Sequence, residues 1–318
     1  MIDGIAKYIM HGGEQSWSPP VIFKDAAVEG FVLRGDCSLL QALVDKLLNG
    51  PSGGAVHYRV LSDYVVLYFA DFPHSYFKST RNMGWSSEGE VGIWVPVFRL
   101  SPVKTPGGSI RLGCFSPYVF VDNPVALTTG REVYGFFKEF GWIGLSPPED
   151  PIRQLTLDAL AAQAFSPQTQ IQRLRLLSVQ ANAPRATQEE WTSVGAALRR
   201  IAEAMELREG LAACGVDATE QALNELLLVP MPLVFLKQFR AITESDEACY
   251  QAVTQAQSDV TNFQGCSFEQ GHQFRLIRLE SHPLAAELGL YDQPTRLAFR
   301  VQFDMTFLGG ELIWKAGP

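Results

Sequence analysis

What constrains this chain most is a succession of short segments rich in β-branched and aromatic residues, each closed off by glycine or proline. Residues 56–61, 64–70, 91–99, 110–115 and 118–121 have this character. Gly53-Gly54, Pro73, Pro102, Pro106-Gly107-Gly108 and Pro117 punctuate them. Side chains of this kind fit a pleated, half-buried surface, and the punctuation supplies turns, so the first half of the chain reads as strands. One helix interrupts early. Leu40, Leu43, Val44 and Leu47 recur at helical spacing, with Ser38 as the expected cap and Gly50-Pro51 as the stop.

Two further strands are expected at residues 154–161 and 171–179, with Ser166-Pro167 turning between them. The character then changes over residues 184–230. Thr187 and Glu190 form a capping-box pattern, and Trp191, Val194, Leu198, Ile201 and Met205 give one apolar helical face. Asp217 and Glu220 repeat the box ahead of a shorter helix through Leu227. Strands return at residues 233–240, 250–260, 274–279 and 296–307. Because strands flank the helices on both sides, the expectation is one α+β domain over residues 1–318, mainly antiparallel β, with peripheral helices and a helical insertion at about 184–230.

Composition narrows the function classes. A formal charge of −8 argues against nucleic acid, which needs a basic footprint. No run approaches the roughly 18 apolar residues of a membrane span, and the first 17 residues lack the apolar core of a secretory signal. Cys37, Cys114, Cys214, Cys249 and Cys266 are scattered and odd in number, which fits reduced, mostly buried thiols. The expected setting is therefore the cytoplasm, with no membrane partner.

Several chemistries are missing their motifs. There is no glycine-rich phosphate loop, no dinucleotide fingerprint, no Gly-x-Ser-x-Gly elbow and no Cys-x-x-Cys pair. The five histidines (His11, His57, His74, His272 and His282) lie far apart, and no metal or other cofactor is expected.

Lysine is scarce, with eight against eighteen arginines. Seven sit among polar or turn residues or, for Lys237, between Leu236 and Phe239; Lys138 lies in Val133-Tyr134-Gly135-Phe136-Phe137-Lys138-Glu139-Phe140-Gly141-Trp142. Two readings are open. The stem lies over rings while the ammonium reaches water, or desolvation lowers the amine's pKa and makes it a nucleophile toward carbonyls.

The segment Asp122-Asn123-Pro124-Val125-Ala126-Leu127-Thr128-Thr129-Gly130-Arg131-Glu132, followed by aromatics and Lys138, resembles the acetoacetate decarboxylase family. In that family an Asp-Asn pair and a Gly-Arg-Glu triplet precede the Schiff-base lysine, which stands six residues after the glutamate, and Lys138 matches that place. Upstream, Glu90-Val91-Gly92-Ile93-Trp94-Val95-Pro96-Val97 resembles the segment holding the family's active-site glutamate, at Glu90. Departures accompany the match. Glu139 and Phe137 replace a second lysine and a proline beside the lysine, the family's arginine has no counterpart between Lys24 and Arg34, and a second acid is replaced near Val65.

The resemblance implies a cone-like barrel or sheet enclosing the lysine, multimers, and a lyase acting on a small keto acid or ketone. Decarboxylation through a Lys138 imine and enamine is the first expectation. Aldol condensation with dehydration on pyruvate and an aldehyde is the second, and a non-catalytic small-ligand-binding protein the third. Glu90 is the candidate for proton transfer or water positioning, against its alternative as a solvated turn carboxylate. Arg131 and Glu132 are expected to brace the lysine segment as a buried pair or cap. Trp94, Tyr134 and Phe136 are candidates to line a pocket, with Trp85 and Trp142 as further aromatic candidates, and core packing alone would also explain all three tryptophans.

Overall fold

The computed structural model describes residues 7–9, 11, 16–78, 84–100, 110–147, 150, 152–183, 189–213 and 232–317. β1 (Val21–Arg34) leads into α1 (Cys37–Val44), followed by β2 (Tyr58–Val60), β3 (Tyr64–Phe77), β4 (Ser86–Leu100) and β5 (Ile110–Val121). α2 (Pro124–Thr129) crosses to β6 (Lys138–Leu145), β7 (Gln154–Ala161) and β8 (Gln172–Ala181). β9 (Glu189–Trp191) precedes α3 (Val194–Ala204) and α4 (Leu207–Ala213). The chain returns through β10 (Leu233–Arg240), β11 (Ala248–Ala256), β12 (Ser258–Glu269) and β13 (His272–Leu276). After α5 (Leu284–Leu288) come β14 (Gln293–Pro294), β15 (Leu297–Phe307) and β16 (Glu311–Lys315).

The fold is α+β, with one large, mostly antiparallel sheet and small helices at its periphery. Strand order along its main path is β14-β13-β8-β7-β6-β5-β4-β3-β1-β15-β12-β9, with β10, β11, β16 and β2 branching from it. The pairs β5/β6 and β5/β10 are parallel, which makes the sheet mixed. The expectation of a cone-like barrel is corrected here: β14 and β9 end the path, and no pair among the described residues joins them. Closure needs matched tilt and register around the whole circuit. The terminal strands, of two and three residues, offer too little ladder for that.

The central strands are buried on both faces, which explains their nearly unbroken apolar sequence. On β3, Val65, Leu67 and Phe69 enter one core cluster, while Tyr68, Ala70 and Phe72 enter another on the opposite face. β1 keeps Phe23 and Val28 on that second face although they are five residues apart. A register shift between Phe23 and Ala26 makes this possible, with Asp25 at φ 56 inside it. One extra residue reverses the alternation, as a bulge must.

Several boundaries move for local reasons. Asp36, not Ser38, caps α1, its Oδ1 accepting from the backbone N–H groups of Ser38 and Leu39 at 2.9 and 3.0 Å. Residues 110–115 and 118–121 form one strand, because Pro117 falls where the β4/β5 register shifts and no ladder donor is needed. Residues 250–260 divide into β11 and β12. β1 was not legible as a strand, since Lys24, Asp25 and Glu29 interrupt its apolar pattern. In the insertion, Trp191 belongs to β9 and the helix begins at Val194. Thr187, the helix expected over residues 217–227, Cys214 and the turns at Pro102 and residues 106–108 lie outside the described residues. Cys114 and Cys266 are buried, whereas Cys37 and Cys249 are exposed. No helix among the described residues is long and apolar enough to cross a membrane.

α4 lies against the end of β2 so closely that a Cβ on Gly210 would stand 1.4 Å from the Leu61 carbonyl oxygen. Gly210→Ala is therefore expected to lower unfolding stability by about 1–3 kcal/mol. Urea unfolding, with the exposed Arg208→Ala as control, checks this.

Candidate active site

β4 presents alternate residues to its two faces. Val91, Ile93, Val95 and Val97 pack into the main core, and Glu88, Glu90, Trp94 and Pro96 face a cavity of about 730 Å³. Lys138 enters the same cavity as the first residue of β6, opposite Val119 on the intervening β5. It is 6% exposed, and its Nζ lies 2.7 Å from Glu90 Oε2. The Tyr68 hydroxyl donates to the other Glu90 oxygen at 2.7 Å. Burial, and then the charge of Glu90, push the Tyr68 phenol well above its ordinary range, so it remains a proton donor.

The local sequence is arranged around the lysine stem. Asn123 caps α2 through Val125 N–H and Ala126 N–H, and its amide donates to Ser86 Oγ and the Ser87 carbonyl at 2.6 and 2.7 Å. Asp122 accepts from Gly89 N–H at 2.7 Å, which ties the end of β5 to the β4 segment carrying both glutamates. Gly130 follows α2, and a Cβ there would stand 2.4 Å from Lys138 Cδ. Glycine is what lets the stem pass. The motif residues thus have a shared physical reading: they seat α2 and leave a channel for Lys138.

Arg131 and Glu132 are both exposed, so the expected buried pair is corrected. Arg131 instead braces the segment by donating from Nη1 to the Lys138 carbonyl at 3.0 Å. Glu139 points away from the cavity, as alternation along β6 requires, and lies 3.2 Å from His282 Nε2. Trp94, Tyr134 and Phe136 line the cavity, and the Phe136 ring centroid is 5.2 Å from Lys138 Nζ. Trp85 is 62% exposed, and Trp142 sits beneath Arg173, so neither contributes. Trp17 does, held by its backbone N–H donating to Thr129 Oγ1 at 2.7 Å. Lys237 is only half-buried and donates to the Val133 carbonyl at 3.0 Å, outside the cavity.

The electrostatics reverse one expectation. Burial favours the neutral amine of Lys138, but the adjacent Glu90 charge and that of Glu88 outweigh it, so its pKa is raised rather than lowered. Glu88 is the group the motif reading passed over. It is buried, and desolvation raises its pKa to about 7 against the pull of Lys138. Its position two residues before Glu90 was the available signal, because on a strand that spacing puts both carboxyls on one face. A second acid is thus present on β4, although the position near Val65 is apolar. The arrangement holds a buried amine, a carboxylate in contact with it, and a carboxyl that titrates near neutrality. Together they can bind a carbonyl and move protons around it.

No protein-family model and no curated protein sequence matches the chain. Solved structures do. The crystal structure of acetoacetate decarboxylase from Legionella pneumophila aligns at TM-score 0.64 and 15% identity, over 98% of this chain and 93% of that one. MppR, an enduracididine biosynthesis enzyme complexed with the condensation product of pyruvate and imidazole 4-carboxaldehyde, aligns at TM-score 0.59 and 14% identity, over 95% and 92% of the two chains. An acetoacetate decarboxylase-like enzyme from Sphingomonas wittichii RW1 aligns at 0.58 and 14%, over 97% and 98%. At these identities the likeness establishes a shared fold.

Two outcomes follow from the site. Glu88→Gln is expected to remove a stability component that is full below about pH 4.5 and lost as pH rises through about 7. The wild type should therefore gain on the order of 3 kcal/mol relative to the variant on going from pH 8 to pH 4.5, read by chemical denaturation at both pH values. Glu90→Gln removes the charge that raises Lys138, so the apparent pKa for acylation of Lys138 by an amine-reactive ester should fall; a rise would contradict the assignment.

Proposed function

We propose that this chain is an enzyme that forms an imine between Lys138 and the carbonyl carbon of its substrate, then works through the enamine. The observation that carries this reading is the contact between Lys138, the one buried lysine among the described residues, and Glu90 at an apolar cavity. Residues 1–318 are taken as one domain, since α3 lines the cavity that holds Lys138.

The raised pKa of Lys138 sets the first requirement. The ammonium must lose its proton before it attacks, and Glu90 stands where it can take it through the existing 2.7 Å contact. When a substrate fills the cavity and displaces water, transfer from ammonium to carboxylate removes two buried charges and becomes easier. The neutral amine then attacks, the carbinolamine expels its oxygen as water, and the protonated imine results. Glu88, titrating near neutrality, suits the protonation of that departing oxygen and later of the enamine carbon.

The iminium nitrogen accepts the electron pair released on the carbon next to the imine. Loss of carbon dioxide from a β-keto acid supplies that pair and makes the enzyme a decarboxylase. Removal of a proton supplies it as well, and the enamine then adds to an aldehyde. Hydrolysis of the imine returns Lys138. Both outcomes have support by likeness of fold: one similar structure is named an acetoacetate decarboxylase, and MppR is named as complexed with the condensation product of pyruvate and imidazole 4-carboxaldehyde.

Borohydride reduction followed by intact-mass measurement tests the reading, with pyruvate and with acetoacetate, on wild type and Lys138→Ala. A reduced adduct on wild type alone is the expected result. An isopropyl-sized increment from acetoacetate would identify decarboxylation before reduction. Equal adducts on wild type and Lys138→Ala, or none between pH 7 and about 10, would overturn the assignment.

A further inference from the structure

The cavity is far longer than its reactive end. β15 lines it with Phe299, Val301, Phe303, Met305 and Phe307, every second residue of one strand. The eight steps of extended strand from Phe299 to Phe307 span roughly 26 Å. Phe307 marks the lysine end, its ring 4.8 Å from that of Tyr134 and 5.9 Å from that of Phe136. Phe299 lies toward α3, in a core cluster with Ala197, Ala202 and Met205 of the helical insertion, and its strand neighbour Gly30 pairs in turn with Tyr68. Trp94 and Val301 pack against both clusters and join the two halves. A volume of about 730 Å³ is within the range of sites that enclose drug-sized molecules, and a three- or four-carbon keto acid would leave most of it empty.

The charges lie on one side of the ledger. Among the described residues lining the cavity, Lys138 is the only cation, whereas Glu88, Glu90 and Asp259 are acids. Lys138 is already in contact with Glu90, and as an imine it would be joined to the substrate. A carboxylate on the substrate would meet like charges in an apolar setting and find no guanidinium or second ammonium among the described lining residues. The far half of the cavity supplies Val194, Leu198, Ile201 and Phe299.

We infer that the site takes an uncharged ketone or aldehyde with an extended apolar body, its carbonyl at Lys138 and its body along β15 toward α3. This rests on the imine reading for the head of the substrate and on cavity shape alone for the body. It also selects between the two routes to the enamine. An uncharged carbonyl compound has no carboxylate to lose, so the electron pair comes from a carbon–hydrogen bond, or from a carbon–carbon bond cleaved in retro-aldol fashion. In the first case a carboxylate takes the proton. In the second the substrate carries a β-hydroxyl, which gives its proton to a carboxylate as the carbon–carbon bond breaks; the electron pair of that bond goes to the iminium, and an aldehyde leaves. The amine–carbon bond forms as the carbonyl oxygen departs as water, and hydride from borohydride reduces the resulting C=N bond in the assay.

The test is borohydride trapping on the wild-type chain across straight-chain methyl ketones from acetone to 2-undecanone. Pyruvate and a straight-chain 2-oxo acid matching 2-undecanone in length run alongside. The half-saturating concentration is expected to fall by up to about fourfold per added methylene until the cavity is filled. The matched oxo acid should require at least about tenfold more than the ketone. Leu198→Trp, which fills the far half, should end the trend at a shorter chain. Adducts that form without chain-length dependence would leave the imine reading standing and overturn the apolar-body class. A long oxo acid that outperforms its ketone would overturn the neutral class. If no compound is trapped, calorimetric titration of 2-undecanone into the wild type decides. Binding there would keep the apolar ligand and sink the lysine chemistry, and no heat would sink both.

Discussion

An amine and a carboxylate held 2.7 Å apart and out of water are the interaction on which the candidate site depends. Removing either ion from water costs several kcal/mol, and their attraction offsets this only when the remaining hydrogen-bonding capacity is met. Tyr68 meets it for Glu90. The neighbouring segments make the geometry available: Asp122 holds the backbone at Gly89, Asn123 anchors α2 to the start of β4, and Gly130 leaves room for the lysine stem. The same pairing decides the chemistry. Burial alone would lower the pKa of this lysine, whereas the charges of Glu90 and Glu88 raise it.

The cavity follows from a sheet that is buried on both faces and left open at its ends. One face of the central strands packs a conventional core, and the other faces an apolar space whose far wall is α3. The helix α3 of the insertion therefore walls one side of the cavity. The bulge in β1 keeps apolar side chains facing that space across a strand that would otherwise turn half of them away. Positions such as Trp94 and Val301, shared by two clusters, join the lysine side and the α3 side into one cavity.

Much of this was legible in local sequence, and particular residues show where legibility stops. β10 spans residues 233–240 as its apolar run with flanking turns requires, and β7 likewise follows its pattern at 154–161. Lys138 stood out because a charged residue among aromatics has to be accounted for. Glu90 stood out only through its motif. Glu88 did not, because β4 begins at Ser86 and its alternation was traceable only from residue 91. Gly130 carried a motif letter with no stated reason until Lys138 Cδ was found beside it.

By itself the sequence determined that strands dominate, that a helical excursion interrupts them, and that one lysine sits where solvation is poor. These are consequences of side-chain periodicity and of the cost of burying charge, both of which act over a few residues. Only the tertiary structure decided that the sheet stays open, that Glu139 faces away, that Glu90 reaches Lys138 across β5 with Glu88 lining the same cavity, and that the lysine pKa is raised. Those outcomes depend on which strands become neighbours and in what register. A one-residue shift at a bulge reverses them, and no short window of sequence encodes it.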